Sequence, residues 1–192
     1  MGMTIEDAAY EAYAAEEALD ELRAEAIADF QQERLRSYYA EHPEVAQAAI
    51  DTLEEAQALF DAGFIRASLV SSISAAEQAL MNTLLRPILY GLVHSESAAT
   101  LVAGLYVRLD HLPKFLFPIV AESANVDLST YCRHDQPITL WDEFRRLQRI
   151  RHGVLHRGER ADPGDASTAL AVAGAMLTDV LPRVMSAVAP SE

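Results

Sequence analysis

Arg151-His152-Gly153-Val154-Leu155-His156, at the end of the run Arg145-Arg146-Leu147-Gln148-Arg149-Ile150-Arg151, brings a guanidinium and two imidazoles into one short stretch of chain. An arginine stays protonated at any physiological pH and holds a phosphate through two hydrogen bonds; a histidine takes up and returns protons near neutrality. Those are the parts needed to cut RNA without a metal: a cation to stabilise the phosphoryl group and a base or acid to move protons. Between Arg145 and Arg160 lie six of the fifteen Lys and Arg residues, opposed only by Glu159.

Such a run stands out because the chain as a whole is acidic, with a formal charge of -14 and a pI near 4.7. The average surface repels nucleic acid, so a polyanion must be met by a local positive patch. Helical spacing supplies one, since Arg145, Arg149, His152 and His156 at offsets 0, 4, 7 and 11 share a face. Arg151 does not share it. Five residues separate it from His156, about 140° at 3.6 residues per turn, so the two meet on one helix only through a distortion. Gly153 is the expected place for it, because glycine weakens a helix interior.

The elements that position this run read as all-α. Ala, Leu, Glu and Arg dominate, no alternating strand pattern persists, and Gly and Pro fall at boundaries. Three parts are expected: an acidic N-terminal helix over 1–42, a helical domain over 43–189 and a tail over 190–192. The first helix, Thr4 to Glu41, carries a sparse apolar stripe of Tyr10, Tyr13, Leu19, Leu22, Ile27 and Phe30. His42-Pro43 breaks it. A helix from about Glu44 to Ala62, capped by Gly63, and a second from Phe64 toward Pro87, where a kink or stop is expected, form an antiparallel hairpin. Gly91 to Pro137 breaks into shorter pieces, with helices near Ser97–Leu109 and Pro113–Ser123 and a loop over Asn125–Pro137. Thr139 and Asp142 form an N-terminal cap for the helix that carries the Arg/His run. Gly158 to Asp165 is a turn, and a last helix from about Ala166 to Val188 packs on the hairpin.

The same reading excludes several classes. One cysteine, Cys132, makes no internal disulfide, and Met1 to Asp20 has neither the basic nor the apolar region of a signal peptide, so a cytoplasmic protein is expected. Asp179, Pro182 and Arg183 interrupt the most apolar segment, which reads as a buried helix rather than a membrane span. Tyr38, Tyr39 and Trp141 read as core or interface anchors.

Arg-His-x-x-x-His from Arg151 to His156, followed by Arg-Gly and a further helix, resembles the R-X4–6-H motif of the HEPN superfamily, all-α domains many of which are metal-independent endoribonucleases. Upstream, Phe64 to Leu80 resembles that family's N-terminal hairpin helix; the resemblance covers roughly Glu44 to Val188. It implies that Arg151 and His156 are the catalytic pair and His152 their polar companion. Arg149 also lies within the permitted spacing of His156, but Arg151 is directly followed by a polar residue. Glu77 and Ser74 match the acidic and polar positions of the hairpin helix, and Arg145, Arg149 and Arg157 would bind RNA. The implied reaction is attack of a ribose 2′-hydroxyl on the adjacent phosphate, with no cofactor or metal, in a homodimer whose two motifs share a cleft. A toxin or antiviral role, with a regulatory or antitoxin protein, is the implied biology.

Other readings of the same residues remain. The Arg/His run of a HEPN-like module without activity would hold a nucleotide or an acidic protein segment. Arg145, Arg146, Arg157 and Arg160 read also as a solvated stripe that pairs with the acidic first helix. Glu77 reads equally as the buried partner of a local arginine. His152 and His156 with Cys132 and His134 would form a metal site only if a third ligand were brought to the pair.

Overall fold

A computed structural model describes residues 17, 20–22, 30, 33–93, 117, 118, 120, 121, 126–134 and 136–188. Every regular element among them is helical. We label residues 33–41 α1, Gln47–Asp61 α2, Ile65–Gln78 α3, Arg86–Val93 α4, Leu140–His156 α5, Pro163–Ala175 α6 and Leu181–Val188 α7. Two π-helical stretches join neighbours into longer rods: Ala79–Leu85 between α3 and α4, and Met176–Val180 between α6 and α7.

Local chemistry sets most of the boundaries. Pro43 follows the break at His42, and α2 begins after a turn over 43–46. At its other end Gly63 adopts φ 78°, and the N–H groups of Gly63 and Phe64 donate to the carbonyls of Phe60 and Leu59. That is the Schellman arrangement, which satisfies carbonyls the ending helix leaves bare and reverses the chain. The hairpin is antiparallel: Thr52, early in α2, donates to Gln78 at the end of α3 at 3.0 Å. Thr139 caps α5 as expected, accepting from the Asp142 N–H at 3.1 Å.

Two expectations change. Of the kink or stop expected at Pro87, the stop does not occur: the helix from α3 runs through the π-helical stretch and on into α4. The last helix starts at Pro163, with Asp162 as its cap accepting from Gly164 N–H at 2.8 Å, so Pro163-Gly164 is its first turn rather than part of the preceding loop. The first helix of Thr4–Glu41 and the helices of Ser97–Leu109 and Pro113–Ser123 lie largely outside the described residues. Of these, 33–41 and residues 117, 118, 120 and 121 are helical.

The core sits where α6 packs on the α2–α3 hairpin and α5 lies along α3. Leu69 and Ile73 of α3, Phe144, Leu147 and Val154 of α5, and Val172 of α6 are all but inaccessible to solvent. Burial of each such side chain stabilises the fold by about 1.5–3 kcal/mol. Trp141 packs edge-on against Phe117, ring centroids 5.0 Å apart, and leans on Phe144 at 5.7 Å. Leu35, Tyr38 and Tyr39 of α1 belong to the same core, whereas Leu22 and Phe30 of the expected apolar stripe are exposed. The rod Pro163–Ala187 has the length and composition to cross a membrane, with mean hydropathy 1.3, yet 56% of its most apolar window is buried inside the fold. It is a core helix here.

Candidate functional site

Helix α5 carries the Arg/His run and is fixed at both ends. Near its start, Arg133 from the preceding loop clamps Glu143 through two bonds of 2.7 and 2.6 Å, and Glu143 is buried. The loop itself is tied by Asp127, which accepts from the Ser129 backbone at 2.9 Å and from the hydroxyls of Ser129 and Thr130. Those side-chain bonds hold the Asp127 carboxyl below the usual carboxylate range. At the C-terminal end, Arg66 of α3 donates to the Val154 carbonyl at 3.0 Å. The Gly153 carbonyl takes the N–H groups of Arg157 and Glu159. Cations and backbone donors thus meet the carbonyls that the helix end would otherwise leave bare.

On this frame the expected face forms. Arg145, Arg149, His152 and His156 are exposed along one side of α5. The rings of His152 and His156 stand 4.5 Å apart, centroid to centroid, tilted by 43°. They lie in the last two turns of the helix.

Arg151 faces elsewhere. It is half-buried against α3, where its Nη1 donates to Glu77 Oε2 at 2.7 Å. Gln148 Nε2 donates to the other Glu77 oxygen at 2.9 Å, so Glu77 holds two consecutive turns of α5. Among the described residues the pairing runs through Nη1, and the guanidinium fork has four further N–H donors. Ser74, one turn before Glu77, donates back to the Val70 carbonyl of its own helix at 3.0 Å.

The expected distortion at Gly153 is absent: α5 is an unbroken α-helix from Leu140 to His156. Arg151 and His156 therefore stay on separate faces of one chain. Gly153 serves a different purpose, which is close approach. A Cβ there would lie 2.1 Å from Glu159 Oε2 and 2.8 Å from Arg157 Nη2. The Arg157–Glu159 pair, bonded at 2.7 Å, folds over this bare patch of helix. Its hydrogen bond, helped by the charges of Arg157 and His152, holds the Glu159 carboxyl below the usual range.

No family model, curated protein or solved structure matches the chain. Of the residues expected at the site, His152, His156, Arg145 and Arg149 form one exposed ridge, and Arg151 joins Glu77 on the adjoining face. Arg157 turns back to Glu159, and Arg146, elsewhere in the basic run, pairs with Asp165 of α6 at 2.9 Å. The alternative metal set does not assemble. Cys132 and His134 flank the Arg133 that is anchored at the first turn of α5, while His152 and His156 occupy the far end of that helix; among the described residues no three His, Cys, Asp or Glu side chains gather.

Sequence reasoning missed Arg66, Gln148 and the inward turn of Glu159. Glu159 was visible as the one acid in a basic run. Arg66 and Gln148 carry no local signal, because their partners lie 88 and 71 residues away.

Proposed function

We propose that the protein is a metal-independent endoribonuclease acting as a homodimer, with His152 and His156 as proton-transfer groups and Arg151 as the phosphate-stabilising cation. The observation that carries this reading is the exposed imidazole pair, 4.5 Å apart, on an arginine-bearing ridge of a protein with charge -14. In the reaction a histidine takes the proton of a ribose 2′-hydroxyl, the 2′-oxygen–phosphorus bond forms and the phosphorus–5′-oxygen bond breaks. A second imidazole returns a proton to the leaving 5′-oxygen, giving a 2′,3′-cyclic phosphate and a 5′-hydroxyl. Since Arg151 and His156 of one chain diverge, the arginine serving a given histidine comes from a second copy.

Labelled RNA incubated in EDTA with the wild-type chain and with His156→Ala and Arg151→Ala tests this. Cyclic-phosphate ends that appear in EDTA and vanish in both variants support it. Cleavage that needs a metal, or survives both substitutions, removes it.

A second reading is favoured by the Arg151–Glu77 ion pair, which offsets the motif's charge within the chain: a non-catalytic module that holds a nucleotide or an acidic segment. No cleavage, together with a nucleotide-dependent rise in Tm, selects this one.

A further inference from the structure

Beside the histidine ridge a groove of about 780 Å3 opens between the end of α2, the start of α3 and the end of α5. That volume falls within the roughly 300–1,000 Å3 of small-ligand sites. Its walls include Glu55, Leu59, Phe64, Arg66, Val70 and Leu155. Phe64 is 63% exposed and Leu155 46%, a high exposure for apolar side chains on adjoining elements. The groove is coupled to the candidate site twice: Leu155 directly precedes His156, and Arg66 is bonded to the Val154 carbonyl.

Its charged groups keep bonding capacity to spare. Glu55 makes no hydrogen bond or ion pair with any described residue, and Arg66 spends one Nη2 bond on Val154. An acid and a base line one groove without closing on each other. Phe64 lines the same groove and offers an aromatic face on which any nucleobase can stack. A carboxylate is an acceptor-only group with two oxygens side by side. Guanine alone among the four RNA bases presents two adjacent donors, N1–H and N2–H, on its pairing edge, and its O6 and N7 accept from an arginine. Adenine and uracil oppose a carboxylate with acceptors next to their single donor group.

We infer that this groove holds a guanine base next to the scissile phosphate, stacked on Phe64, with Glu55 reading its donor edge and Arg66 its acceptors. The inference rests on the endoribonuclease reading for its biological substrate. Binding itself is measurable without cleavage.

The test titrates the full chain with each of the four ribonucleoside 3′-monophosphates by NMR, for wild type, Phe64→Ala and Glu55→Gln, with circular dichroism to confirm that each variant folds. Both side chains are exposed, so the fold should survive. The guanine nucleotide should bind about tenfold more tightly than the others. Phe64→Ala should weaken all nucleotides about tenfold, and Glu55→Gln should remove the guanine preference while leaving the adenine nucleotide unchanged. Equal affinity for all four, or binding indifferent to both substitutions, overturns the inference. So does sedimentation showing that Phe64→Ala turns a dimer into a monomer with no nucleotide bound, since the groove is then a protein interface. Guanine-selective binding without RNA cleavage would remove the catalytic reading and leave the groove standing; EDTA-resistant cleavage without base preference would do the reverse.

Discussion

The Tyr39 hydroxyl donates a 2.5 Å hydrogen bond to the carbonyl of Thr83, four residues before Pro87. In an α-helix that carbonyl would take the N–H of residue 87, which proline lacks. A side chain from α1 thus completes the ladder inside the α3–α4 rod, and the π-helical stretch eases the crowding between ring and carbonyl. A residue 44 positions earlier thus supports the helix where it passes through its proline.

Replacing Tyr39 by Phe keeps the packing and removes the bond. Urea unfolding should show a loss of about 1–3 kcal/mol, the cost of leaving a buried acceptor unmet. A change below 0.5 kcal/mol, roughly the size of an unremarkable surface substitution, would mean that the Thr83 carbonyl has another partner.

Burial raises the Tyr39 hydroxyl well above its ordinary value near 10, with the neighbouring Tyr38 adding to the shift. Unfolded Tyr39 releases its proton above about pH 10 while folded Tyr39 keeps it, so the native state binds more protons there and stability falls as pH rises. The contribution is complete below pH 10 and shrinks above it. Stability measured from pH 9 to 11 should decline less steeply in Tyr39→Phe than in wild type.

Glu77 and Arg151 should prove energetically coupled. Their side chains are 28% and 24% exposed, so a double-mutant cycle with Glu77→Ala and Arg151→Ala should give about 1 kcal/mol, at the upper end for pairs in contact with solvent. Strict additivity would show that the pair contributes nothing to folding.

Gly153→Ala separates two accounts of that glycine. Were a helix distortion needed there, alanine would be harmful; the structure shows only flexible side-chain ends in its way. Alanine gains about 1 kcal/mol of helix propensity over glycine and pushes Glu159 aside, so the fold should be no less stable. NMR titration should find the Glu159 carboxyl returning upward toward the usual range as its bond from Arg157 is lost.

Arg133→Ala should be far more damaging. It strands the carboxylate of Glu143, which is 2% exposed, and breaking such a buried pair costs about 3–5 kcal/mol. Denaturant melts would show the loss. An apolar replacement of both partners should recover much of it.

The features legible in the sequence were those whose chemistry is local. Thr139 with Asp142, Pro43 after His42 and Gly63 each mark a boundary through atoms within a few residues, and the ridge from Arg145 to His156 follows from the helical repeat alone. What could not be read depends on distant partners. Pro87 reads as a kink or a stop until Tyr39 is beside it, and Glu77 reads as a partner for some local arginine without revealing that the arginine is Arg151, 74 residues on. Gly153 was singled out correctly as unusual, but its purpose, room for Arg157 and Glu159, lies in how the chain folds back after His156.

The rod from Pro163 to Ala187 also has a history in time. Synthesis proceeds from the N-terminus, so the α2–α3 hairpin exists before this rod does, with Leu69 and Ile73 lacking the surface that will cover them. Until the rod is made, the nascent chain displays a sticky hairpin; once made, the rod is itself greasy enough to suit a lipid bilayer. A mutation that slows docking of the rod would therefore show first as poor yield from cells rather than as a less stable purified protein.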